Sequence, residues 1–367
     1  MRPLFKAARL VLPLMLFGYG AVANLAVLSG PPTALTLPRS DLLGGGLTRD
    51  FERLYKSTLP HFALSFGWIG AARYALLGEA RSGAVVGQDG WLFTREETRP
   101  LPSADLREAA IDEIVAIQAV LAAQGTRLVL VPLPAKIDIG ARHTPDPALS
   151  AAMAALDADF IARLNRASIE VVDPRAVLLA QAEDVFFATD THWTRLGASL
   201  TAGALAAYLP RGPLTFAEGP AIDKLLIGDL IRFVTEDSLA PMIGLPPERV
   251  TLVPIRADAP VTDIFAAAPI DVVLIGTSYS ANTDWGFADA LTKALGREVE
   301  NLAEIGLGPV APMRHYLGGD AFAQTPAQVV IWEFPIRYLS DPDLWTAPLA
   351  EPSQPEQTHP NFVASNG

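Results

Sequence analysis

Three side chains of this 367-residue chain are of the types that acyl transfer needs: Ser278, His192 and Asp190. A serine hydroxyl at neutral pH is a weak nucleophile until a base takes its proton. Histidine is the usual base, and a carboxylate fixes its tautomer. The stretch Asp190-Thr191-His192-Trp193 supplies acid and base two residues apart. On an extended segment that spacing points both side chains the same way; on a turn the carboxylate reaches Nδ1 directly. There are five histidines, and His192 is the one with a carboxylate at this spacing. Asp-x-His is also a metal-binding pair. With no third ligand nearby and no cysteine in the chain, metal is the weaker reading.

The candidate nucleophile ends an apolar run, Val272-Val273-Leu274-Ile275-Gly276-Thr277-Ser278-Tyr279-Ser280. Four aliphatic residues in a row read as a buried parallel strand. Gly276, without a Cβ, permits a sharp turn. Residues 285–296 read as a helix closed by Gly296. Strand, turn and helix put Ser278 at the carboxyl end of a central strand, where open α/β sheets bind ligands and where a nucleophile elbow presents its serine. Gly-x-Ser by itself reads more simply as a strand-to-loop turn; the Asp-x-His stretch shifts that balance.

Other elements must position these groups. Val85–Phe93 reads as two short strands around the Asp89-Gly90 turn. Ser103 caps a helix carrying Ile111, Ile114, Ile117 and Leu121 at helical spacing and ended by Gly125. A strand over 127–132 leads into Pro134-Ala135-Lys136. Then come helix 147–166, strand 168–173, helix 174–183, the Asp190-x-His192 loop and a helix over 194–209. The proline-rich stretch 210–265 carries a β excursion at Ile231–Val234 and Val250–Val253. A strand near 298–302, a segment over 305–318 and a last buried strand over 328–334 complete the body. This alternation predicts an α/β fold with a parallel sheet covered on both faces.

Lys and Arg number 28 against 40 Asp and Glu, a net charge of −12. That balance argues against nucleic acid as a partner. Residues 1–30 open with Arg2, Lys6 and Arg9, followed by an uncharged run from Leu10 to Leu28. This reads as a signal anchor; a signal peptide cleaved near Ala21-Val22-Ala23 is the alternative. Either places the body outside the cytoplasm. Residues 31–80 read as a proline-containing linker and a helical juxtamembrane segment, packed on the body or on the membrane surface. Residues 81–345 form the main domain and 346–367 a disordered tail.

Five stretches, in order, resemble the periplasmic alginate O-acetyltransferases of the AlgJ/AlgX type, which carry an SGNH-hydrolase-like domain. They are Gly87–Phe93, Val131–Lys136, Asp190–Trp193, Gly276–Ser280 and Trp332–Tyr338. The resemblance implies a three-layer α/β/α sandwich around a mostly parallel sheet, with a permuted SGNH order in which Asp190 and His192 come before Ser278. It also implies periplasmic acetyl transfer onto an exopolysaccharide, without a cofactor. The partners it implies are a multi-spanning membrane acyltransferase as acetyl donor and other polysaccharide export proteins. A carbohydrate acetylesterase and a non-catalytic glycan-binding scaffold are the rival readings.

Weaker candidates follow. Lys136, just past a strand end, is a binder of a substrate carboxylate or a solvated loop lysine. Trp193 stacks on a sugar or walls off the site, and Tyr279 contacts substrate or packs. Arg337 binds substrate or pairs with Glu333. Lys136, Arg195, Arg314 and Arg337 together could form a basic groove for a polyanion such as alginate. Otherwise the acidic body favours a neutral, cellulose-like acceptor.

Overall fold

A computed structural model describes residues 2–28, 55, 62–258 and 271–346. Strands β1 (Ala84–Val86) and β2 (Leu92–Thr94) pair antiparallel. Asp89 (φ 55°) and Gly90 (φ 79°) make the tight turn expected of Asp-Gly. β3 is Arg127–Leu133, β4 Phe216–Glu218, β5 Ile222–Leu226, β6 Glu248–Leu252 and β7 Ile255–Ala257. β8 is Val272–Ile275, β9 Val299–Asn301 and β10 Val329–Pro335. The central sheet has the order β3-β10-β8-β9, all parallel. Leu128–Leu133, Val330–Pro335 and all of β8 are buried. Successive strand residues face opposite sides, so both faces of the sheet are covered, as a parallel sheet requires.

The expected strand over 168–173 is reduced to one parallel bridge, Leu130 to Val171. Leu130 N–H donates to Glu170 O, and Val172 N–H donates back to Leu130 O. The next residue of β3 on that side is Pro132, which has no N–H, so the ladder stops there. Ile231–Phe233 is a 3₁₀ turn rather than a strand. A short apolar run does not distinguish the two, and Ile231 and Val234, three apart, are both buried. The helix expected over 174–183 is Arg175–Leu179, and that over 285–296 is Phe287–Leu295. The helices Ala104–Ala123 and Pro147–Arg166 match expectation, the first capped by Ser103 Oγ accepting from Leu106 N–H at 3.2 Å.

Residues Arg2–Leu28 are helical, with Pro13 inside; among the described residues no helix is long and apolar enough to cross a membrane. The proline linker and the tail from 347 lie outside the described residues. Helix Phe62–Leu77 packs on the body through its small residues. Gly67 and Gly70 are buried, and Thr235 Oγ1 donates to Gly67 O at 2.9 Å.

Candidate active site

Because β3, β8 and β10 are parallel and adjacent, the residues following them emerge at one edge of the sheet. Ser278 comes three residues after β8 and opens a short helix, Ser278–Ala281, capped by Thr277. Gly276 is needed for space rather than for an unusual backbone angle. A Cβ there would lie 2.5 Å from Glu333 Oε2. That carboxylate, wholly buried on β10, accepts from Thr277 N–H (3.0 Å), Thr277 Oγ1 (3.0 Å) and Ser280 Oγ (2.7 Å). It therefore fixes the turn on both sides of Ser278. Burial pushes the Glu333 carboxyl up, against those hydrogen bonds.

The Asp190–His192 loop supplies the groups that meet Ser278. It turns back between Phe186 and Trp193, which form an antiparallel bridge. Ser278 Oγ–H lies 2.7 Å from His192 Nε2, and His192 Nδ1–H lies 2.6 Å from Asp190 Oδ1. The same carboxylate oxygen accepts His192 N–H at 2.9 Å, and Oδ2 accepts Asp229 N–H at 2.8 Å. Burial pushes the Asp190 carboxyl up, but the hydrogen bond and charge of His192, with two backbone N–H donors, outweigh it and hold the group below its ordinary value. The Asp229 carboxylate accepts Thr191 N–H and Oγ1 and is itself raised, by burial and then by the charge of Asp190.

Asp190, His192 and Asp229 offer ligand atoms within 4.8 Å of one another. Both ring nitrogens of His192 and both oxygens of Asp190 are already engaged in the bonds above. A metal ion would have to break the Ser278–His192–Asp190 chain to bind there.

Ser278 and His192 open into a cleft of about 340 Å³. Ser82, Gly83, Thr94, Arg232, Phe233 and Tyr338 form much of its wall, and Arg95, Arg99 and Arg337 lie along it.

Comparison with known proteins gives this constellation a family. A family model described as the SGNH hydrolase-like domain of the acetyltransferase AlgX matches residues 84–336. The probable alginate O-acetylase AlgJ of Pseudomonas syringae pv. tomato is 37% identical over 319 residues, spanning 83% of this chain and 81% of that protein. The chain belongs to the AlgX/AlgJ acetyltransferase family. The AlgJ of Pseudomonas aeruginosa is 35% identical over 318 residues, 81% of each protein. The solved O-acetyltransferase domain of Pseudomonas putida AlgJ matches with a TM-score of 0.63 at 35% identity, covering 71% of this chain and 92% of that one. Pseudomonas aeruginosa AlgX shares the fold, with a TM-score of 0.57 at 23% identity over 71% of this chain and 65% of that one. The protein is accordingly an enzyme of the O-acyltransferase class.

Within this AlgX/AlgJ framework the weaker sequence candidates change role. Lys136 does not reach substrate: it is 1% exposed. Its ammonium donates to the carbonyls of Leu92 (2.6 Å), Ala188 (2.9 Å) and Asp190 (2.8 Å), so it fastens the Asp190 loop to β2. Burial lowers its pKa to about 8, against the nearby charges of Glu97, Glu248, Asp190 and Asp229. Trp193 is wholly buried and donates to Tyr279 O at 3.2 Å, so it walls the site from behind and stacks on no sugar. Tyr279 is also buried; its hydroxyl donates to Thr191 O at 2.7 Å and accepts from Arg337 Nη1 at 3.0 Å.

Arg337 pairs with Glu96 at 2.9 Å and not with Glu333, yet it still lines the cleft. Arg195 pairs with Glu218, and Arg314 with Glu113, so neither forms a groove with it. The cations of the cleft are instead Arg95, Arg99, Arg232 and Arg337. Sequence reading missed Asp229, Arg95, Arg99 and Arg232. They are 37 or more residues from Asp190, His192 and Ser278, and no local spacing ties them to those three.

Proposed function

We propose that the protein moves acetyl groups onto hydroxyls of an exopolysaccharide, alginate or a related uronate polymer, through Ser278, His192 and Asp190. One observation carries this reading: His192 lies between the two other groups, with Nε2 2.7 Å from Ser278 Oγ and Nδ1 2.6 Å from Asp190 Oδ1. His192 takes the Ser278 proton as Oγ attacks the carbonyl carbon of an acetyl donor. Asp190 holds the tautomer that leaves Nε2 free to accept. The donor departs with the proton, leaving acetyl-Ser278. A sugar hydroxyl then gives its proton to His192 and takes the acetyl group. The N–H of Ser278, at the first position of its helix, is our candidate donor to the developing oxyanion.

The acceptor class follows from the cleft. Arg99 is paired with Asp341 and Arg337 with Glu96, while Arg95 and Arg232 have no carboxylate partner among the described residues. Two guanidinium groups without a carboxylate among the described residues, Arg232 lying over the Phe233 ring at 4.9 Å, line the cleft with Ser278; they favour an anionic chain over a neutral one and oppose the repulsion of an acidic body. Relatives named as alginate O-acetylases support the same choice. We place the catalytic body in the periplasm, delivered by residues 1–30 as anchor or signal peptide. A membrane acyltransferase serves as donor there, since acetyl-coenzyme A is cytoplasmic, and polysaccharide export proteins act alongside.

The purified protein incubated with an activated acetyl ester, with and without oligomannuronate, tests the reading. Acetylated oligosaccharide is the expected product, and none forms with Ser278→Ala. Acetate release that ignores the oligosaccharide makes the protein an esterase. No turnover and no trapping of Ser278 by a sulfonyl reagent makes it a scaffold.

A further inference from the structure

The indole of Trp285 lies against the imidazole of His192, with ring centroids 5.2 Å apart and planes 23° from parallel. Trp285 is 2% exposed and is not among the residues lining the cleft, so it meets no substrate. The segment that carries Ser278 also delivers it. Helix Ser278–Ala281 ends at Asn282, whose Oδ1 accepts Asp284 N–H at 3.0 Å and starts the 3₁₀ turn Thr283–Trp285. Gly286, at φ 66°, then redirects the chain into helix Phe287–Leu295. Lys224 pairs with Asp284 and holds the turn from outside.

The choice of tryptophan has a cost. Its Nε1–H is buried and finds no acceptor among the described residues. A phenylalanine would fill much of the space without an unmet donor. What the indole offers in return is the most electron-rich face among the side chains, and such a face attracts a cation lying over it within about 6 Å.

Other groups around His192 are accounted for. Asp190 is on Nδ1 and Ser278 on Nε2. Asp229 is close by. Tyr279 flanks the ring at 4.7 Å, with its hydroxyl tied to Arg337. Trp285 supplies the parallel aromatic face.

We propose that Trp285 is a positioning residue for the base. Its face holds the ring of His192 in line between Asp190 and Ser278 and stabilises the imidazolium that forms as acetyl is transferred. The proposal rests on the reading of His192 as base. In that step the O–H bond of Ser278 breaks and its proton joins Nε2. The Oγ electron pair forms the bond to the acetyl carbonyl carbon, and the carbonyl π pair moves onto oxygen. The ring gains one positive charge as the carbonyl oxygen gains one negative charge. The Trp285 contact is stronger with the charged ring than with the neutral one, so it raises kcat and leaves KM alone.

The test keeps the shape of the side chain and changes its electrons. Trp285 is replaced, in the full chain, by tryptophans bearing increasing numbers of fluorine atoms, with para-nitrophenyl acetate as probe. We expect kcat to fall stepwise with fluorination while KM and the unfolding midpoint stay constant. Trp285→Leu should lower kcat about 2- to 30-fold, and Trp285→Phe should recover part of that loss. A kcat indifferent to fluorination overturns the proposal. Ser278→Ala is run alongside: if it still turns over the ester at the parent rate, the triad reading fails. If it is inactive and the fluorine series is flat, only the role of Trp285 fails.

Discussion

The carboxylate of Glu333 occupies the space that a side chain on Gly276 would need, with Oε2 2.5 Å from the position of a Cβ. Gly276, two residues before the proposed nucleophile Ser278, and the acid on the neighbouring strand therefore form one device that sets the turn. Gly276→Ala forces the carboxylate off Thr277 and Ser280. We expect a stability loss of about 1–3 kcal/mol by urea titration and a turnover loss of at least about tenfold. Unchanged turnover in a stable Gly276→Ala variant would remove Glu333 from the positioning of Ser278.

Asp190→Asn should lower acetyl transfer by about 10⁴-fold, because an amide no longer selects the tautomer that leaves Nε2 free. Oligosaccharide binding, measured by calorimetry, should stay within about twofold. A small rate loss would mean that the backbone bonds of the loop orient His192 without the charge.

Lys136→Met should unfold more readily, by about 1–3 kcal/mol, since the buried carbonyls of Leu92, Ala188 and Asp190 lose their shared donor. KM for the oligosaccharide should not move in whatever fraction folds. A raised KM in a fully stable variant would restore Lys136 to the substrate site.

Asp157 is 1% exposed, and burial, with the charges of Asp173 and Asp138, raises its pKa to about 7. In the unfolded chain it titrates near about 3.9. Between those values the folded state holds a proton that the unfolded state has lost. This contribution to stability is complete below about pH 4 and is lost as pH rises through about 7, by at most about 1.4 kcal/mol per pH unit. Asp157→Asn should flatten the thermal midpoint between these limits. Identical slopes in both proteins would show that Asp157 does not titrate there.

Arg95→Ala and Arg232→Ala should each weaken oligomannuronate binding and reduce its salt dependence, while leaving turnover of a small neutral ester within about twofold. Equal loss for a neutral glucan would sink the anionic-acceptor reading.

Much of the architecture was legible from local pattern. Uninterrupted aliphatic runs marked β3, β8 and β10, because strands buried on both faces need apolar residues at every position. The Asp-Gly turn and the Ser103 cap were equally local. Spacing also picked out Asp190 and His192, since a two-residue turn lets one carboxylate oxygen take both the backbone and the ring N–H. What sequence alone determined, then, was the three long buried strands β3, β8 and β10 and the candidate side chains Ser278, His192 and Asp190. The tertiary structure decided everything that depends on approach between distant segments. Lys136 and Arg337 both follow strand ends, but only the packing of the Asp190 loop sends the first inward and leaves the second at the cleft. Asp229, Arg232 and Trp285 have no spacing that ties them to Asp190, His192 or Ser278, so no local signal marks them as part of the site. They matter only because the folded chain brings them to His192 and Ser278, and contact between distant residues is fixed by packing rather than by spacing.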